Sequence, residues 1–198
     1  MTGFQGRLSD QPLAPKNVHK VDDDALVTRA LSGDHAAFGE LVEAYGRVVF
    51  NLALRMVGNS EDARDLTQVT FVKAFEKLHT FDRRSRFFSW LYRIGLNESL
   101  NWLKRRRRSS QVDENLESVE RGPHDAAVAS QEEALIHGAL MDLTPEYRQV
   151  IVLRHFQELS HREIGVILQL PEKTVKSRLH SARERLAFAL RKRGVAAT

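Results

Sequence analysis

The side chains in this sequence best placed for chemistry are cations on one helix near the C-terminus. Turned at ~100° per residue, the stretch "PEKTVKSRLHSARERL" puts Lys173, Lys176, His180 and Arg183 within an arc of ~80°. Arg178 and Arg185 lie on the other flank, and Thr174 and Ser177 add hydroxyls near the start. Val175, Leu179, Ala182 and Leu186 form a second, apolar arc, which is expected to pack inward. Lys and Arg neutralise phosphates and pair with guanine O6 and N7, while Ser and Thr hydrogen-bond to either strand. An isolated helix of this kind is as readily a solvated basic face. What precedes it favours DNA. Ser160 and Glu163 fit a capping box that opens a short helix carrying Ile164, Ile167 and Leu168. Leu170 and Pro171 then break the chain in a turn of about four residues, which gives a helix-turn-helix whose second helix enters the major groove.

A second group of candidates lies near the middle of the chain. Phe87, Phe88, Trp90, Tyr92 and Trp102 alternate with Arg83, Arg84, Arg86, Arg93, Lys104 and the run Arg105 to Arg108. Rings that stack on bases beside guanidiniums that follow a backbone suit a single-stranded nucleic acid. Part of this pattern also has a structural reading. Trp90, Leu91 and Ile94 sit at core spacing, Trp102 can pack, and cations at a helix end complement its dipole. The loop "HTFDRRSR" is less ambiguous, because no core explains its polarity.

The elements that must position these groups read as helices almost throughout, so the expected fold is all-α. Asp caps and Gly33 bound a first helix, in which Leu26, Val27, Ala30 and Leu31 are apolar. A second helix restarts at Asp34 and ends at Gly58, with Phe38, Leu41, Val42, Tyr45, Val49, Leu52 and Met56 on one stripe. Asn59 or Ser60 caps a third, and "FFSWLYRIGLNESLNWLKRRRR" forms a fourth. The polar, acidic stretch from Ser109, with its Gly-Pro, reads as a linker. Beyond it, Thr144-Pro145 offers a cap and a first-turn proline. The expected organisation is a mobile tail over 1–20, a helical domain over 21–108, an acidic linker over 109–124 and a helix-turn-helix domain over 125–194.

Composition narrows the function. The 198 residues carry a net charge of +4, and the positive charge is clustered, which favours a polyanionic partner. There is no cysteine, so disulfides, thiolate zinc sites and thiol redox sensing are excluded. Nothing in the sequence points to an enzyme. There is no P-loop or GxGxxG, His161-Arg162-Glu163 lacks the second histidine of HExxH, and the eight histidines show no metal-ligand spacing. No metal or cofactor is expected. The N-terminal stretch has no apolar signal core and no run approaches about 18 apolar residues, so a cytoplasmic location without membrane insertion is expected.

Three blocks, "DARDLTQVTFVKAF", "FDRRSRFFSWLYRIGLNESLNWLKRRRR" and "LTPEYRQVIVLRHFQELSHREIGVILQLPEKTVKSRLHSARERL", resemble in order and separation a bacterial RNA polymerase sigma factor of the extracytoplasmic-function (ECF, group 4) type. The resemblance implies a dissociable subunit that binds core RNA polymerase and directs it to promoters. By position, Asp65, Leu66 and Gln68 would meet the β′ clamp helices. Periodicity alone marks these residues as an ordinary wet face. His79, Phe81, Arg83, Arg84, Arg86, Phe88, Trp90, Arg93 and Asn97 would recognise and melt the −10 element, with a flipped base held in the loop from His79 to Phe88. Lys173, Thr174, Lys176, Ser177, Arg178, His180 and Arg183 would read the −35 element as duplex, with the same domain resting on the β flap. The linker would thread towards the active-site and RNA-exit channels. An anti-sigma factor is the expected regulator. Two departures stand out: Val69 replaces a usual acidic residue, and "QLPEKTV" replaces the commoner small-residue or glycine turn.

Two other classes share parts of this pattern. A one-component helix-turn-helix regulator would bind a palindromic operator without polymerase, but would leave the aromatic and basic N-terminal half unexplained. A protein-binding adaptor that imitates such a factor would lack the groove-facing cations.

Overall fold

A computed structural model describes residues 23–112 and 131–195. The tail over 1–20 and most of the linker lie outside them. The elements are α1 (Asp23–Leu31), α2 (His35–Val57), α3 (Ser60–Lys77), a 3-10 turn (Leu78–Thr80), α4 (Phe87–Val112), α5 (Gln131–Met141), α6 (Pro145–Ile151) continuing into a π turn (Val152–Phe156), α7 (His161–Leu168) and α8 (Glu172–Lys192). The fold is all-α, and no strand occurs among the described residues. Helix α4 continues to Val112, past the position where composition places the start of the linker.

Local chemistry sets the helix boundaries. Asp34 accepts from the backbone N–H of Ala36 and Ala37, and Asn59 from Glu61 and Asp62, so each satisfies donors that a helix start leaves unpaired. Gly58 ends α2 in the left-handed region at φ 84°, where a side chain is strained. Ser160 and Glu163 close the capping box of α7 in both directions. Of the apolar set in α1, Leu31 faces water instead and is 43% exposed, because the chain turns away at Gly33.

Two apolar clusters hold the chain. One joins α1 and α2 to α3 and the start of α4, through residues such as Val27, Leu41, Phe71 and Leu91. The other crosses between the halves of the chain: Leu52 and Met56 of α2 and Tyr92 and Leu96 of α4 share it with Ile151, Ile164, Leu179 and Leu186. The two domains therefore pack directly on each other. At their junction Arg148, only 5% exposed, donates to the carbonyls of Leu140, Met141 and Leu143 at 2.9–3.0 Å and also to Met56. One guanidinium thus serves the C-terminal ends of both α5 and α2, where carbonyls lack helical partners and carry partial negative charge. Nearby, His137 Nε2 lies 3.3 Å from Gly58 O, and the Arg55 guanidinium sits 4.2 Å from the Phe156 ring centre.

Candidate nucleic-acid interface

Helix α8 is seated by its apolar face. Val175, Leu179, Ala182 and Leu186 are all buried, and that fixes the opposite side towards solvent. Lys173, Lys176, Ser177, His180 and Arg183 are exposed, while Thr174 and Arg178 are half-buried. The turn before α8 is tight. Gln169 is left-handed at φ 54°, and its N–H and that of Leu170 both reach Gly165 O. A Cβ on Gly165 would lie 2.8 Å from Leu170 O, so only glycine lets the turn pass this close. Glycine thus does occur in this motif, inside α7 rather than within the turn.

The cations on this face are not equivalent. Lys176 pairs with Glu172 at 2.8 Å, and His180 approaches Glu184 at 3.6 Å. The side-chain hydrogen bond and charge of Lys176 hold the Glu172 carboxyl below its usual range. Arg183 instead donates from Nε to Nε2 of His155 at 3.3 Å. Burial, with the charges of Arg183 and Arg154, pushes the His155 ring down to about 4, so it is neutral at pH 7. His161 is also lowered, by desolvation first and then by Arg154 and Lys176.

The second candidate region is a loop organised by one carboxylate. Asp82 accepts from the Arg84 backbone N–H at 3.0 Å and from its Nη2 at 2.8 Å, while Ser85 N–H and Oγ bind Asp82 O. Arg84 remains 91% exposed at its side chain, and His79 and Arg83 are also exposed. Arg86 reaches across the domain junction to Glu163 at 3.2 Å. Arg93 is half-buried and Asn97 exposed.

Three of the residues expected to meet DNA or polymerase are buried in the chain on its own. Phe81 and Trp90 are buried with Phe87 in a cluster of rings 5.4–5.6 Å apart, which roots the loop in the core. Neither can stack on a base without leaving that cluster. Phe88, half-buried, stacks on buried Tyr92 at 4.3 Å. Leu66 is 4% exposed, so its side chain braces α3 rather than presenting a contact. Trp102 lies under Arg106 at 5.0 Å, and Arg106 also meets Asp62 at 3.6 Å, so part of the arginine run is tied down locally.

Periodicity alone gives no site role to Val69, Val72, His155 or Arg148. Val69 and Val72 are exposed on α3, beside Asp65 and Gln68 at one-turn spacing, and form an apolar patch with a polar edge. Two valines at i and i+3 on a face otherwise polar were the available signal. His155 and Arg148 gave none, since each depends on a partner distant in sequence.

Comparison with known proteins agrees with this geometry. The Sigma-70 region 2 family matches residues 41–109, and the Sigma-70 region 4 family matches residues 133–186. The chain is 33% identical over 177 residues to the ECF RNA polymerase sigma factor SigW of Bacillus subtilis (strain 168), covering 83% of this chain and 95% of that protein. It is 36% identical over 177 residues to the ECF RNA polymerase sigma-E factor of Escherichia coli (strain K12), covering 83% and 92%. Among solved structures, the sigma factor RpoE in complex with the anti-sigma factor NepR from Bartonella quintana superposes with a TM-score of 0.66 at 28% identity, over 78% of this chain and 96% of that one. CnrH in complex with the cytosolic domain of CnrY gives 0.65 at 33%, over 86% and 97%.

Proposed function

Since this chain belongs to the extracytoplasmic-function RNA polymerase sigma factors, we propose that it is a group 4 member that reads two promoter elements with separate domains. Helix α8 reads the −35 element as duplex: Lys173, Thr174 and Ser177 lie nearest the base edges, and Lys176, Arg178, His180 and Arg183 serve the strands. The loop from His79 to Arg86 and the start of α4 engage the −10 element, with exposed Arg83 and Arg84 following the single strand. Asp65, Gln68, Val69 and Val72 form the docking face for the polymerase β′ clamp helices, and the C-terminal domain rests on the β flap. The anti-sigma factor bound to the Bartonella relative supports an antagonist of the same class here.

The observation that carries this reading is the exposed cationic face of α8, held outward by its buried apolar side. The domain packing adds a requirement. The −35 and −10 elements are about 25 base pairs apart, or ~85 Å at ~3.4 Å per base pair. A packed body of about 150 residues is only ~40 Å across. The domains must therefore separate on the promoter, and the packed form belongs to the chain away from DNA.

Run-off transcription with purified core polymerase tests the reading. Adding the chain should give initiation from specific promoters, and Arg84→Ala should impair permanganate-detected melting more than closed-complex formation. Initiation that owes nothing to the chain would overturn it. A palindromic operator footprint by the chain alone would favour a one-component regulator instead.

A further inference from the structure

Within that reading of α8, one cation is held differently from its neighbours. Lys176 and His180 each face a glutamate on their own helix, and the charge of Lys176 is thereby partly offset before DNA arrives. The partner of Arg183 comes from another element, 28 residues earlier in the chain, and is an imidazole nitrogen. An N–H donated into Nε2 requires the ring to be neutral, with its proton on Nδ1. Burial of the ring and the nearby charges of Arg183 and Arg154 favour that same form. Arg183 therefore keeps its whole positive charge while Nε is fixed in direction. Its Nη edge makes no other hydrogen bond among the described residues.

His155 reaches this position from the π turn at Val152–Phe156. An extra residue in a helical turn re-aims the side chains that follow it, and such turns recur at functional sites. Here the next residue, Phe156, faces Arg55 of the other domain, while His155 faces α8. Arg183 lies 11 residues beyond the start of α8, about 16 Å along its axis. The first residues of a recognition helix meet base edges, so a cation this far along meets the sugar-phosphate strand.

We propose that His155 is a positioning residue for −35 binding: it holds Arg183 against a DNA phosphate through an uncharged acceptor, so that the cation is oriented without being neutralised. A carboxylate at the same place would orient the guanidinium equally well but would repel the phosphate.

The test uses reconstituted holoenzyme on a promoter duplex, with affinity measured across a salt series and the thermal melt of each variant recorded. Arg183→Ala, which loses one phosphate contact, should lower the slope of log affinity against log salt by about one. His155→Phe fills the space of the ring but lacks the acceptor, and should weaken binding about 3- to 10-fold, as expected for one lost hydrogen bond. His155→Gln returns an acceptor near the Nε2 position and should restore affinity to within about twofold. In the Arg183→Ala background, His155→Phe should have no further effect. Wild-type affinity for His155→Phe, with Arg183→Ala still impaired, would overturn the proposal and leave the reading of α8 standing. Wild-type affinity and salt slope for Arg183→Ala would overturn both the assignment of Arg183 to DNA and this proposal with it.

Discussion

Removing the contact between Arg55 and Phe156 should make the chain a better partner for polymerase. The Arg55 guanidinium sits 4.2 Å from the ring centre of Phe156 and joins α2 to the π turn across the domain junction. Burial lowers the Arg55 pKa from its ordinary value, and the residue is half-buried. A partly desolvated cation–π pair contributes ~1–2 kcal/mol, so Arg55→Met should raise the ratio of open to packed chain by ~5- to 30-fold. If only the open form binds, the packed population weakens apparent affinity by the open fraction, and the variant recovers that same factor. Because the chain has no cysteine, Glu43→Cys and Arg191→Cys, both at exposed positions, accept a donor and an acceptor dye without interference. Energy transfer should be high in the free chain and low in promoter-bound holoenzyme. With Arg55→Met, the loss of transfer in urea should begin earlier and the core-polymerase titration should move to lower concentration. Phe156→Leu should act similarly, and the double variant should be less than additive. Two results would refute the reasoning. If Arg55→Met matched wild type in both assays, the contact would not hold the domains. If transfer in promoter-bound holoenzyme equalled that of the free chain, the domains would not separate.

Three further outcomes are expected. Gly165→Ala places a Cβ 2.8 Å from Leu170 O and should cost ~1–3 kcal/mol in urea melts while weakening −35 binding, because the start of α8 is displaced. Val72→Asp, at a site 57% exposed, should leave the melting temperature unchanged and weaken core-polymerase binding about tenfold in a titration. His155 is held down to about 4 in the folded chain against ~6.5 unfolded, so the unfolded state binds more protons between those values. Its contribution is therefore present above about pH 6.5 and is lost as pH falls towards 4. The loss should be on the order of 2 kcal/mol, since the ring is partly open to water, and urea melts of His155→Gln should lack that component.

Much of this protein is legible along the chain because the forces involved act over a few residues. The caps at Asp34, Asn59 and Ser160, the left-handed stop at Gly58 and the capping box of α7 depend on neighbours within one turn. The two faces of α8 follow from helical periodicity, and both stand in the structure where that period puts them. The burial of other candidate residues was not legible, for a definite reason. Phe81, Trp90 and Leu66 have types and positions that suit a binding surface. Whether a ring faces water or other rings depends on how the loop is rooted, and that is decided by Phe87 and the first helices. The same limit concealed Val72, because a β-branched residue on a helix reads as core until the packing leaves its face uncovered.

The sequence by itself determined the all-helical character, the capped helix starts and the cationic stripe, since each follows from propensity, periodicity and charge at short range. Only the tertiary structure decided which of those groups meet. Arg148 reaches Met56 across 92 residues, Arg86 reaches Glu163 across 77, and His155 meets Arg183 across 28. Such contacts are products of burial: a guanidinium or an imidazole settles where helix ends and apolar faces from distant segments leave it an acceptor. No local pattern records that meeting, because it exists only once the separate helices have closed on a common core.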